Sequence, residues 1–115
     1  DTRSTPSEIF YNKCIDHGAE VIVHDPIIDY WPEVDIRVDN DLKVIKNNKV
    51  DAVVFAINHN AYLNFSVEKI SDLLKPRGVI LDGNNIISDR KAAILQKKGF
   101  KLLGVGKGHW AKLSK

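Results

Sequence analysis

Cysteine is nearly absent from this 115-residue sequence, and methionine is absent altogether. The single cysteine, Cys14, excludes an internal disulfide, so a reducing cytoplasmic compartment is the simplest one to expect. Long apolar runs are also missing: none approaches the ~20 residues that span a bilayer, and no apolar core of a signal peptide is visible. The chain begins at Asp1 without a methionine, which suggests an excerpt from a larger protein.

Charge of one sign is not in excess, since 17 basic side chains stand against 15 acidic ones and the formal net charge is +2. Because Lys and Arg are spread along the chain, the composition favours neither nucleic acid nor an anionic membrane as a partner. The four histidines and the one cysteine show no metal-ligand spacing, so we expect no metal site. Cys14 lies among the apolar positions of a predicted helix and is interpreted as a packing residue, not a nucleophile.

Signals for helices and strands alternate along the chain. Helical spacing of apolar residues, with Pro6 in a first turn and Ser66 and Ser88 as caps, predicts the helices, and short apolar runs predict the strands. The predicted helices cover about residues 6–17, 39–46, 66–75 and 88–98, the strands cover 21–23, 51–57, 79–81 and 100–103, and the loop 27–38 includes a short edge strand near 36–38. This alternation predicts a single α/β domain over residues 1–115, a Rossmann-like three-layer sandwich with a mostly parallel sheet.

Small polar residues gather where the predicted strands end. The clusters are Asp25-Pro26, Asn58-His59-Asn60, Asp82-Gly83-Asn84-Asn85 and the glycine-rich residues 104–108. In an open α/β sheet, ligands bind outside the carboxyl ends of the strands, so these clusters could line one binding edge. Alternatively, Asn, Asp and Gly are simply good turn formers, and the periodicity leaves both readings open.

Individual residues in these clusters carry weaker signals. Asp25 stands where a dinucleotide-binding fold places its ribose-binding acid, but no glycine-rich turn precedes the first helix, so a turn is the favoured reading. Residues 104–108 match neither the P-loop spacing nor GxGxxG, and a flexible interface loop is as good a reading as a phosphate site. His59 follows a buried strand and could reach a ligand, although local hydrogen bonding is the favoured reading.

Short motifs follow one another along essentially the whole chain. They are DTRSTPS at 1–7, VHDP at 23–26, DAVV at 51–54, NHNAY at 58–62, ILDGNN at 80–85 and GVGKG at 104–108. In this order they resemble the segments DxRxSP, VxDP, DAVV, (T/D)HxxF/Y, VxDGRN and GxGRG of the UDP-glucose/GDP-mannose dehydrogenase family. No single motif is specific, but their succession is, and by this resemblance the chain is identified as the family's third, C-terminal domain.

The resemblance implies a three-domain, NAD-dependent UDP-sugar 6-dehydrogenase that oxidises the C6 hydroxyl of a UDP-sugar to a carboxylate in two hydride transfers. In this family the first domain binds NAD, a helical middle domain dimerises and carries the thiol nucleophile, and the third domain closes over UDP. The implied partners are therefore a UDP-sugar, the NAD-binding and middle domains of the same enzyme, and a second subunit. Because the nucleophile lies in a motif that this chain lacks, we expect the isolated chain to have no catalytic residue and no activity.

The resemblance also assigns roles to particular residues. The arginine of DxR, here Arg3, is expected to reach the NAD phosphates, a role that suits a bidentate guanidinium. The residue after Asp-Gly contacts the nucleotide-sugar, and here it is Asn84. Further residues expected at the ligand edge are Asn58, His59, Asn85 and Lys107. Nothing in the sequence discriminates between UDP-glucose, UDP-N-acetylglucosamine and UDP-N-acetylmannosamine as substrate.

The sequence departs from the family pattern at Asn84, where the family usually has an arginine, so only amide hydrogen bonds are available there. It also lacks the strand, ending in a Phe-Lys pair, that opens the family's domain. Since that strand is central in the sheet, we expect a gap, and we expect the isolated chain to fold poorly or to associate through it. Two rival readings are a non-catalytic module that senses a nucleotide and a subunit-interaction domain without nucleotide affinity.

Overall fold

The computed structural model describes residues 6–104, 108 and 110. The chain divides into two compact units, Asp1–Lys43 and Val44–Lys115. The first unit contains a helix and a small hairpin, and the second contains the parallel sheet. None of the helices in this described part has the length and apolar character needed to cross a lipid bilayer.

The first unit opens with helix α1, Pro6–Asp16, close to the predicted range. Pro6 suits a first helical position because its missing N–H would have no partner there in any case. Gly18, at a φ of 84°, ends the helix in the left-handed conformation that glycine adopts most easily. None of the residues of α1 is buried, and Ile9, Phe10 and Ile15 are exposed.

The predicted strand at 21–23 is wrong. Residues 21–23 form no strand, and the neighbouring pairing is a single parallel bridge between His24 and Asp39. The Asp39 N–H donates to the carbonyl of Val23, and the Asp25 N–H donates to the carbonyl of Asp39, both at 2.9 Å. One bridge does not build the continuous ladder of a strand, and the chain then turns away at Asp25, whose Oδ1 accepts the N–H groups of residues 27 and 28 at 2.8 and 3.1 Å.

An antiparallel hairpin of β1, Tyr30–Trp31, and β2, Ile36–Arg37, follows in the first unit. The short edge strand predicted near 36–38 is confirmed by β2, whereas its partner β1 was not predicted. The buried Trp31 ring meets Tyr11 of α1 edge to face, with ring centroids 5.7 Å apart. The Tyr30 hydroxyl donates to Asp35 Oδ1 at 2.6 Å, and this hydrogen bond raises the pKa of Tyr30 above its ordinary value of 10.0.

Helix α2, Lys43–Asn47, begins at the boundary of the two units and later than predicted, because Asp39 is held in the bridge with His24. Of the two aspartates predicted to open the helix, Asp41 lies just before it, and its Oδ1 accepts the Lys43 N–H at 2.9 Å. The second unit then contains β3 (Val50–Phe55), α3 (Asn60–Leu63), α4 (Val67–Ser71), β4 (Leu74–Asp82), α5 (Asp89–Lys97) and β5 (Lys101–Gly104). The sheet has the order β3-β4-β5, and both neighbouring pairs are parallel. The predicted α/β class with a parallel sheet is confirmed.

Strand β4 begins earlier and α4 ends earlier than the sequence predicts. Leu73 and Leu74 were predicted to extend the helix, but α4 stops at Ser71 and Leu74 already pairs with Val50. The register then shifts, so that Ala52 pairs with Val79, and residues 75–78 form an irregular segment of β4. Pro76 has no N–H to donate to the neighbouring strand, and Arg77 has a φ of 63°, which is not a β conformation. These two residues explain why the hydrogen bonding between β3 and β4 is interrupted here.

One face of this sheet carries the core of the second unit. Neighbours in a parallel register point to the same side, and Phe55, Ile80 and Leu102 share a face on which they are 3%, 0% and 6% exposed. Tyr62 and Phe65 meet Phe55 and each other edge to face in this core. The core is completed by buried residues of α4 and α5 and by one residue near the end of the chain: Val67, Ile70, Ala92, Leu95 and Trp110. The opposite face stays partly open, since Val54 is 37% and Leu103 45% exposed.

Candidate functional site

The carboxyl ends of the three strands of the second unit lie side by side, because Phe55, Asp82 and Gly104 pair in register. The polar clusters that follow β3 and β4 therefore start from one edge of the sheet, the arrangement required by one of the two readings that the sequence left open. The cluster at Asp25 belongs to the first unit. This edge of the second unit, which we call the carboxyl edge, is where ligands bind in open α/β sheets.

Asp82 organises the loop that leaves β4. Its side chain is 1% exposed, and its two oxygens accept backbone N–H groups from three following residues. Oδ1 accepts from Asn84 and Ile86, both at 3.0 Å, and Oδ2 accepts from Ile87 at 2.8 Å. A buried carboxylate is tolerated only with such partners. From the sequence, Asp82 is predicted only as part of a turn cluster, although an aspartate at the end of a buried strand is the signal that could have indicated this role.

Asn84 is half-buried in this loop and connects the ends of two strands. Its Nδ2 donates to the carbonyl of Phe55 at 3.2 Å, next to the Gly83 N–H, which donates to the same oxygen at 3.2 Å. A primary amide has two N–H donors and one acceptor oxygen. Within the part of the chain that the structure describes, one N–H and Oδ1 of this amide therefore remain for a ligand, and the side chain supplies no positive charge.

Asn85 follows with a φ of 58°, a left-handed conformation that asparagine tolerates better than most residues. Its side chain is exposed. The loop is closed behind it by Ile86 and Ile87, which are buried at 5% and 1% exposure. The loop is thus fixed by apolar anchors on one side and presents two amide side chains on the other.

The turn after β3 is organised by His59. Its Nδ1 accepts the N–H of Ala61 at 3.0 Å and caps α3, and its ring meets Tyr62 edge to face at 6.2 Å. The favoured reading of local hydrogen bonding is consistent with these contacts. Because Nδ1 is used as an acceptor, the neutral ring carries its proton on Nε2, which can donate to a ligand. Asn58, just before it, is exposed.

Other predicted site residues belong to the first unit or lie outside the described residues. Arg3 and Lys107 lie outside the described residues. Asp25 Oδ1 accepts two N–H groups of its own turn, which is the reading that the sequence favours. Among the residues that the structure describes, no group of three or more His, Cys, Asp or Glu side chains is placed to hold a metal ion.

A groove of about 420 Å³ was not predicted from the sequence. It is lined by the first residues of α4 and α5, among them Ser66, Glu68, Ser88, Arg90 and Lys91. The two serines cap their helices, and the Lys91 ammonium donates to the backbone carbonyls of residues 63 and 65 at 3.3 and 2.8 Å. Glu68 also lines the groove, and the Lys91 ammonium is already hydrogen-bonded to these carbonyls. The groove therefore does not have the charge distribution of an anion-binding site.

These observations define the class of the protein: a Rossmann-like α/β domain with a parallel sheet, whose carboxyl edge is lined by amide groups. Over residues 1–89 the chain matches the UDP-glucose/GDP-mannose dehydrogenase family, UDP binding domain. The chain belongs to this family.

Similar proteins agree with this assignment. The chain is 29% identical over 112 residues to UDP-N-acetyl-D-mannosamine dehydrogenase of Methanococcus aeolicus, with 93% of the chain and 24% of the relative covered. It is 30% identical over 114 residues to the protein of the same name from Methanococcus vannielii, with 96% and 24% covered. The chain thus spans about a quarter of the length of these curated relatives.

A solved structure is similar as well. It is the crystal structure of NDP-N-acetyl-D-galactosaminuronic acid dehydrogenase from Methanosarcina mazei Go1, with a TM-score of 0.74 and 33% sequence identity. The match covers 92% of this chain and 21% of that chain. The fold of this chain is therefore similar to that of part of a nucleotide-sugar dehydrogenase whose structure is known.

Proposed function

We propose that this chain holds the UDP moiety of a UDP-sugar at its carboxyl edge, within a larger NAD-dependent dehydrogenase that oxidises the sugar C6 hydroxyl to a carboxylate. The observation that carries the proposal is the Asp82–Ile87 loop, which presents the free N–H and Oδ1 of Asn84 where β3 and β4 end. The family membership supports a UDP ligand. The names of the two relatives from Methanococcus support a UDP-N-acetylhexosamine as the sugar nucleotide.

In this proposal the chain binds and orients the substrate, and the other domains carry out the oxidation. The sequence has no glycine-rich turn before α1 to receive a dinucleotide, and Asp25, the candidate for the ribose-binding acid, holds its own turn through Oδ1. NAD therefore belongs to another domain, with Arg3 reaching across to its phosphates. The nucleophile and the dimer contacts are likewise assigned to the rest of the enzyme.

The proposal is tested by titrating UDP, with ADP as the competing nucleotide, into the purified protein that carries this chain. We expect UDP to bind and ADP to bind far more weakly. Asn84→Ala should weaken UDP binding by about 1 kcal/mol, the usual net contribution of a neutral hydrogen bond. Asn48→Ala is the matched control, because Asn48 precedes β3 and so lies at the opposite edge, where its Nδ2 donates to the carbonyl of Val44. Equal affinity of the two variants would contradict the assignment of Asn84.

The role of Arg3 is tested separately by steady-state kinetics with NAD. Arg3→Ala should raise the KM for NAD by a factor corresponding to about 1–3 kcal/mol, the range for a lost charge-assisted hydrogen bond. Arg90→Ala, an exposed arginine of α5, should leave NAD kinetics unchanged. Unaltered NAD kinetics in Arg3→Ala would reject this role.

A nucleotide-sensing module remains the alternative function, and the uncharged Asn84 is the observation that favours it. Such a module would bind UDP but would never reduce NAD in the presence of a UDP-sugar. Assays of NAD reduction with UDP-N-acetylmannosamine, UDP-N-acetylglucosamine and UDP-glucose decide between the two functions and identify the sugar.

A further inference from the structure

The loop after β4 is held in place by more interactions than its connection to α5 requires. Helix α5 has its own cap, since the Ser88 hydroxyl accepts the Lys91 N–H at 3.2 Å. Ile86 and Ile87 already anchor the loop in the core at 5% and 1% exposure. The hydrogen bonds to the buried Asp82 carboxylate are therefore not needed to cap α5, and they are not the only interactions that attach the loop to the core.

The Asp82 hydrogen bonds fix the conformation of the residues between these anchors. Oδ1 holds the N–H groups of Asn84 and Ile86 at 3.0 Å and so closes the loop around Asn85, whose φ is 58°. A non-glycine residue keeps such a conformation only where the surrounding contacts determine it, and such residues cluster at functional sites. The backbone of Asn84 is thereby fixed, and its side chain is aimed at the end of β3, where Nδ2 reaches the carbonyl of Phe55.

We propose that Asp82 is a positioning residue for nucleotide binding, which acts through Asn84 by holding its amide in the orientation that a UDP ligand meets. This inference rests on the proposed function of the carboxyl edge and adds the residue that sets its geometry. Asp82 itself has only 1% of its surface exposed, so its carboxylate is not accessible for direct contact with a ligand. Its carboxylate is needed because all three of its partners are N–H donors, and a neutral amide in its place would turn one acceptor oxygen into a donor group.

The test is a double-mutant cycle on UDP affinity in the protein that carries this chain. Asn84→Ala should weaken UDP binding about fivefold, as for one neutral hydrogen bond. Asp82→Asn should weaken it by up to the same factor, and should have almost no further effect in the Asn84→Ala background. A merely structural role for Asp82 would give independent effects that multiply. The melting temperature should fall with Asp82→Asn in both backgrounds, which separates the stability effect from the effect on binding.

A second pair of variants keeps the test decisive if Asp82→Asn does not fold. Asn85→Ala places a side chain that disfavours positive φ in the loop, whereas Asn85→Gly accepts this conformation, and the position is exposed in either case. Both variants lack the Asn85 amide, so the difference between them reports the loop conformation alone. Asn85→Ala should bind UDP more weakly than Asn85→Gly in the wild-type background, and the two should bind alike in the Asn84→Ala background.

The failure of this inference differs from the failure of the proposed function. If the wild-type protein binds no UDP, the proposed function is wrong, and the inference falls with it. If UDP binds, but the effects of Asp82→Asn and Asn84→Ala multiply, only the positioning role of Asp82 is overturned. If Asp82→Asn does not fold, the same conclusion follows when Asn85→Ala still binds UDP more weakly than Asn85→Gly in the Asn84→Ala background.

Discussion

Among single residues, Tyr30 has a pKa that its contacts in the folded protein raise above the ordinary value. Its hydroxyl donates to Asp35, and this hydrogen bond, followed by burial and the negative charges of Asp35 and Glu33, raises the pKa of Tyr30. A raised pKa means that folding favours the neutral phenol. The stabilisation is therefore fully present below the ordinary value of 10.0 and is lost as the pH rises through the folded-state pKa.

This prediction is checked by following the Tyr30 ring resonances in an NMR pH titration. Asp35→Asn should lower the Tyr30 pKa toward its ordinary value, because it removes the charge while asparagine still tolerates the φ of 51° at this position. Glu33→Gln should have a smaller effect, since Glu33 contributes least to the shift. A Tyr30 pKa that does not move in Asp35→Asn would contradict the contribution of the Asp35 charge.

Sequence reasoning at this scale succeeds where a residue acts on its immediate neighbours in the chain. Ser66 and Ser88 were predicted as caps, and their hydroxyls accept the N–H groups of Lys69 and Lys91. The role of Asp82 was not predicted, because it depends on the loop folding back so that separate N–H groups converge on one carboxylate. The contact of Asn84 with Phe55 joins residues 29 positions apart and has no local signal.

Among the elements, β4 tolerates its irregular segment only because Gly78 lacks a side chain. A Cβ at this position would lie 2.7 Å from Leu74 Cδ2 and 3.0 Å from the carbonyl oxygen of Lys75. Gly78→Ala should therefore lower the free energy of unfolding by about 1–3 kcal/mol, as for an overpacked core site. Gly108→Ala is the matched control, since nothing lies within 4 Å of a Cβ there, and it should change stability by less than about 0.5 kcal/mol. Equal melting curves of the two variants would show that β4 adapts without strain.

The elements also show where periodicity is reliable. Strands β3 and β5 were predicted to within a few residues because their apolar runs lie in a continuous parallel ladder. The run at 21–23 is also apolar but forms no strand, and the neighbouring His24 makes only a single bridge, since pairing depends on a neighbouring strand and not on the run itself. The hairpin strand β1 was missed because its two residues carry no periodicity.

For the second unit as a whole, the sheet has one buried face and one partly exposed face. Parallel sheets are normally covered on both faces. Here Val54, Leu81 and Leu103 share the second face, and β3 pairs on one side only within the described sheet. An open strand edge next to exposed apolar side chains promotes association between chains. This agrees with the expectation from the sequence that the isolated chain associates, which stays a prediction.

We therefore expect the isolated 115-residue chain to form concentration-dependent oligomers, observed by size-exclusion chromatography with light scattering. Val54→Lys should shift the population toward monomer, because a lysine on an edge strand disfavours pairing with another chain. Ile94→Lys is the control, since Ile94 of α5 is 38% exposed, like Val54 at 37%, but does not lie on the sheet. If both lysine variants reduce association equally, exposed apolar area alone is responsible and not the edge of β3. If the unmodified chain is a monomer with a cooperative melt, the partly open face is stable in water, and the prediction is wrong.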